Sequence, residues 1–121
     1  MAGMDHRSFG DANEVRTPDK ARVEVVQLGG GHVAARMTLQ PGWKWSESIK
    51  PIAGTDTCQA RHVGAVISGH LRVTCDDGTS ADLGPGEAYV IEPGHDASVD
   101  GDEPFVAFEF DSSTATSYAA T

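Results

Sequence analysis

Basic residues, cysteines and long apolar runs are all in short supply in this chain, and each shortage removes a class of function. Nine lysines and arginines stand against eighteen acids, a formal net charge of -9. Residues 51 to 121 carry twelve acids against Arg61 and Arg72, so most of the surface repels a phosphate backbone and nucleic acid is not an expected partner. Two cysteines, Cys58 and Cys75, are too few for a disulfide framework and are expected as thiols in a reducing compartment. No stretch has the length and apolarity to cross a bilayer, and the first thirty residues do not join a basic start to an apolar run. A cytoplasmic protein without a membrane partner is therefore expected. Phosphate-binding glycine loops, paired-cysteine zinc motifs, nucleophile elbows and internal repeats are also missing.

What the chain does contain is short alternating segments separated by turn residues. Its 121 residues suffice for one compact core, and fourteen glycines and six prolines are spread along them rather than clustered. Residues 1–20 are polar and aperiodic and read as a flexible N-terminal arm; residues 21–112 read as the folded domain and 113–121 as a disordered tail. Val23 and Val25, then Val33, Ala35, Met37 and Leu39, alternate with other residues on either side of the Gly29–Gly31 turn. Trp43–Ser46 reads as a third extended piece, and residues 50–57, with Pro51 and Gly54, as a loop. Further strands are expected at 62–68, 70–75, 80–83, 88–91 and 105–110, with Asp76-Asp77-Gly78 as a hairpin turn. Strands this short, with turns every eight to twelve residues and no helical period, predict an all-β sandwich or barrel.

Three segments carry a more specific signal: Pro41-Gly42, the run from His62 to Gly69, and Gly84-Pro-Gly-Glu followed by Pro93-Gly94-His95. Together they resemble the two-part signature of a small single-domain cupin, over about residues 21–110. The resemblance implies a double-stranded β-helix, a jelly-roll barrel whose interior often holds a metal and a small molecule. Counting back from Gly69 places His62 at the motif's glutamate and the paired histidines on Asp56 and Cys58, or on Thr55 and Thr57. Counting forward from Gly42 points instead to Glu47 or Ser48. The second motif's histidine lands on Ala97, whereas this chain has His95.

Parity keeps His95 in play, because a strand that turns Val99 inward also turns Ala97 and His95 inward. Cys58 and His62 would lie about 13 Å apart on a straight strand, so both reach one ion only if the chain bends at residues 59–61. Cys58, His62 and His95 would then offer one thiolate and two imidazoles, a set suited to zinc and acceptable to copper or ferrous iron, with a position left open. The alternative is a small buried thiol and two hydrogen-bonded pocket histidines in a metal-free barrel.

Tyr89 and Glu47 are the candidates for proton transfer. Trp43 and Trp45 are either plates for a planar ligand or packing residues. Asp96 either orients a histidine or caps its own turn. Arg61 and Glu109, like Glu47, either anchor a substrate or lie on the surface. His6, His32 and His70 receive no role. The expected function is a metal-dependent enzyme acting on a small organic molecule inside the barrel, as an oxygenase, isomerase, cyclase or lyase. A non-catalytic small-molecule sensor without metal is the alternative, and a structural subunit with a vestigial pocket a third. A homodimer is expected.

Overall fold

The computed structural model describes residues 3–111; the expected tail at 113–121 lies outside the described residues. Nine strands alternate with turns: β1 (Glu14–Arg16), β2 (Ala21–Gln27), β3 (Val33–Leu39), β4 (His62–Ser68), β5 (His70–Cys75), β6 (Ser80–Leu83), β7 (Ala88–Ile91), β8 (His95–Asp100) and β9 (Phe105–Phe110). They form two antiparallel sheets, one in the order β1-β2-β3-β9-β4-β7 and one in the order β6-β5-β8. The inward-facing residues of each strand meet between the sheets, where Val23, Met37, Leu39, Leu71, Val73 and Phe105 are buried. Alternation alone accounts for this core, since a period of two sends every second side chain to the same face. Among the described residues, no helix is long and apolar enough to cross a membrane.

Two stretches depart from the sequence reading. The expected extended piece and loop at 43–57 contain two one-turn helices, α1 (Trp45–Ser48) and α2 (Lys50–Ala53). Trp45, Ser48 and Ile49 are buried at i, i+3 and i+4, a helical stripe too short to stand out as a period. Pro51 falls in the first turn of α2, where its missing N–H costs nothing. Gly54 ends that helix in the left-handed region at φ 74° and donates its N–H to Lys50 O at 3.0 Å.

The N-terminal arm is also structured from residue 9 onward. Strand β1 pairs with β2, Val15 facing Glu24. Phe9 stacks on Phe108 with ring centroids 5.3 Å apart, and the Arg36 guanidinium lies over the Phe9 ring at 5.5 Å while forking onto Glu24 at 2.7 and 2.9 Å. A three-residue strand has no period to read, so this anchoring was invisible in the sequence.

Candidate metal centre

The centre begins with a glycine. Gly64 on β4 sits in register with Tyr89 on β7 and with Glu109 on β9, so the three form one row across the six-stranded sheet. A Cβ at Gly64 would lie 2.2 Å from the Phe108 carbonyl oxygen and 2.8 Å from Glu109 Cγ. The missing side chain leaves a lane, and through it the Tyr89 hydroxyl donates to Glu109 Oε2 at 2.6 Å. Glu109 is fully buried, in phase with Phe105 and Ala107. Its other oxygen, Oε1, lies 3.0 Å from Nδ1 of His62, two residues before Gly64 on the same face of β4.

With Nδ1 committed to a carboxylate, His62 turns Nε2 toward the barrel interior, 3.8 Å from Cys58 Sγ. The chain breaks regular pairing between residues 58 and 62, and that break brings the two side chains together. Cys58 is fixed by backbone bonds to the opposite sheet: its N–H donates to His95 O at 2.7 Å, and its carbonyl accepts from Gly94 N at 2.7 Å. His95 points inward in phase with Ala97, both buried. Its Nδ1 lies 2.8 Å from the Glu92 carbonyl oxygen, which again leaves Nε2 for the interior. One ligand atom from each of Cys58, His62 and His95 lies within 4.8 Å of the other two, and all three residues are buried.

The electrostatics bind this group together. Burial opposes ionisation of Cys58, but the hydrogen bonds and positive charge of His62 and His95 outweigh it and hold the thiol down at about 6. Burial likewise opposes a charged His62, and there the Glu109 carboxylate and the Cys58 sulfur prevail, raising it to about 9. Burial and the Glu109 charge both push the Tyr89 phenol well above its ordinary value, so it stays protonated as the donor to Glu109.

The donor set fits a divalent metal. A thiolate favoured at neutral pH and two imidazoles, each with Nδ1 engaged by an acceptor, are what zinc, copper or ferrous iron takes from a protein. Cys58, His62 and His95 would hold the ion, and binding would displace the proton shared by Cys58 and His62.

The other expected site residues fall elsewhere. Glu47 is exposed on α1 and does not line the chamber around the three ligands, so it is removed as a proton-transfer candidate. The reason is again the short helix, which turns residue 47 outward while burying 45, 48 and 49. Asp96 accepts from the Ser46 N–H at 3.2 Å and the Ala97 N–H at 2.9 Å, tying α1 to β8 rather than orienting a histidine. Arg61 pairs with Glu92 on the surface at 3.2 Å. Trp43 and Trp45 are buried and line the chamber. Glu109 is neither a substrate anchor nor a surface acid: it is the buried group that orients His62. An acid in phase with Phe105 and Ala107 was the signal for it.

Two cavities of different size lie on either side of one wall. The chamber at the ligands holds about 20 Å³, and a cleft of about 480 Å³ opens between the edge strands β6 and β7; Tyr89 and Ile91 line both.

No protein-family model matches the sequence, and no curated protein is significantly similar to it. Solved structures are similar in fold. Oxalate decarboxylase from Lactobacillus farciminis superposes with a TM-score of 0.64 at 19% identity, over 91% of this chain and 33% of the enzyme. The polyketide cyclase RemF from Streptomyces resistomycificus gives 0.61 at 15% identity, over 88% and 78%. An uncharacterised protein from Klebsiella pneumoniae with a double-stranded β-helix domain gives 0.56 at 19% identity, over 87% and 86%. Identities this low speak for the fold alone. This chain thus has a double-stranded β-helix fold of the cupin type, a jelly-roll barrel of two antiparallel sheets with a cysteine and two histidines converging between them.

Proposed function

We propose that this protein binds one divalent metal through Cys58, His62 and His95 and uses it as an enzyme on a small organic molecule, as an oxygenase, isomerase, cyclase or lyase. The observation that carries the reading is the commitment of both Nδ1 atoms: Glu109 takes that of His62 and the Glu92 carbonyl that of His95, which leaves both Nε2 atoms directed inward near a thiol favoured as thiolate. A bound zinc ion, or copper or ferrous iron, would supply a Lewis acid with a position open to water or substrate. The chain's own residues supply the rest. Glu109 fixes the His62 tautomer, the Tyr89 hydroxyl donates to Glu109 Oε2 and holds that carboxylate in place, and the buried indoles keep bulk water from the ligands. Tyr89 lines the adjoining cleft as well, but its proton is committed to Glu109 and its phenol is held far above the ordinary range, so it serves there as a positioning group and not as an acid. A decarboxylase and a cyclase among the proteins of like fold are in keeping with this reading.

A metal-free binding protein is the second reading, favoured by the narrowness of the chamber at about 20 Å³. Metal analysis of protein purified without chelator separates the two. The enzyme reading predicts about one zinc, copper or iron per chain, lost in Cys58→Ser and in His62→Ala; metal-free wild-type protein would overturn it. A homodimer in the cytoplasm remains part of the proposal. The exposed Ile67, Val90 and Phe110 on the large sheet and the two free thiols support it, and light scattering that reports a monomer would remove the dimer.

A further inference from the structure

We propose that the cleft between β6 and β7 is a ligand-binding site, and that it takes an uncharged, largely apolar molecule tipped by one acceptor oxygen, with the tip reaching past Tyr89 and Ile91 into the metal chamber. The inference rests on the metal reading above and specifies what that centre acts on.

Size is the first argument. A chamber of about 20 Å³ accepts about one water-sized group, so the body of any organic molecule presented to the three ligands must lie elsewhere. The adjoining cleft, at about 480 Å³, falls in the range of small-molecule sites, roughly 300 to 1,000 Å³. Tyr89 and Ile91 form the wall common to both spaces, so these two side chains are what separates a molecule in the cleft from the three ligands.

Charge is the second. Asp76, Asp77 and Glu92 stand at the rim, and among the described residues no lysine or arginine lines the cleft. Arg61 engages Glu92 at 3.2 Å, while Asp76 and Asp77 accept from the hydroxyls of Thr57 and Thr79. The two unneutralised carboxylates disfavour an anion. Deeper in, Val73, Leu83 and Ile91 offer apolar walls that disfavour burying any charge.

The third argument is a donor without an acceptor. Trp43 lines the chamber and is 3% exposed, yet its Nε1–H is buried with no hydrogen-bond partner among the described residues. A buried donor left unmade is costly, and an oxygen brought against the Trp43 wall of the chamber is the acceptor we assign to it. The same N–H rejects a cationic tip, which has only donors to offer.

Three probes of one shape test the claim: acetophenone, with a neutral carbonyl; benzoate, with an anionic tip; and ethylbenzene, with none. Binding is followed by amide-shift titration in NMR, with metal content measured on the same samples. We expect acetophenone to shift amides at residues 81–83 and 89–91, and benzoate and ethylbenzene to bind about tenfold more weakly or worse. Ala81 is exposed on the edge strand, so Ala81→Trp should block the cleft and abolish acetophenone binding at unchanged metal content; Thr79→Trp serves if that variant fails to fold. Trp43→Phe should keep binding but erase the preference for acetophenone over ethylbenzene. No acetophenone binding, shifts confined to other surfaces, benzoate binding as tightly, or binding undiminished in both blocking variants would each overturn the proposal. Metal retained without probe binding rejects the cleft alone, whereas probe binding by metal-free wild-type protein rejects the metal reading alone.

Discussion

The two histidines at the centre sit on opposite sheets and are held in different ways. His62, on the six-stranded sheet, is oriented by a side chain: Glu109, itself engaged by Tyr89 across the gap at Gly64. His95, on the three-stranded sheet, is oriented by backbone, with Nδ1 on the Glu92 carbonyl and its own peptide group bonded to Cys58. One half of the centre is therefore open to point mutation through a relay of side chains, while the other is fixed by the course of the main chain. Tuning resides on the His62 side and rigidity on the His95 side.

The largest effect is expected at Gly64. Gly64→Ala drives a methyl group into the Phe108 carbonyl, and because the clash is with backbone it cannot be relieved by a rotamer. We expect a loss of about 3 kcal/mol, roughly 10 °C in Tm, measured by thermal unfolding. Glu109→Gln comes next. It removes the charge that favours the Nδ1-protonated tautomer of His62 and should weaken zinc binding about 10- to 100-fold, read by competition with a chelator. Tyr89→Phe removes the hydroxyl that donates to Glu109 Oε2 and should weaken zinc binding by less than about tenfold. Glu92→Ala completes the series as the control for the other half: its contact with His95 is made by the main chain, so zinc affinity should stay within about twofold. A large loss in Glu92→Ala, or none in Glu109→Gln, would erase the contrast between the halves.

The charged pair in the metal-free protein gives a pH test of the His62 side. Cys58 is lowered from 9.0 to about 6, so its contribution to stability is present above its unfolded value and is lost as pH falls through about 6. His62 is raised from 6.5 to about 9, so its contribution is present below its unfolded value and is lost as pH rises through about 9. The ion pair thus spans the window from about 6 to 9. Thiolate ultraviolet absorbance should persist at neutral pH, vanish below about 6, and move its midpoint upward in His62→Ala. A thiol titrating near 9 in the wild type would remove the pair.

Much of the fold was legible because period-two alternation states which residues face inward, and His95 could be placed from Ala97 and Val99 by parity alone. The approach of Cys58 to His62 was legible only as a condition, a bend at residues 59–61, since spacing along a chain does not reveal where the chain turns. Three features escaped for one reason, which is that a three-residue strand or a single helical turn carries no measurable period: strand β1, helix α1 and, with α1, the outward turn of Glu47. Glu109 escaped for another. Acids are rarely fully buried, so an acid in phase with Phe105 and Ala107 does not by itself read as part of the core.

The most direct measurement of the central claim is X-ray absorption at the zinc edge of the zinc-loaded protein. The account predicts one sulfur donor at about 2.3 Å and two nitrogen donors at about 2.0–2.1 Å, with the sulfur missing in Cys58→Ser. A shell without sulfur in the wild type, or a spectrum unchanged by that substitution, would contradict it.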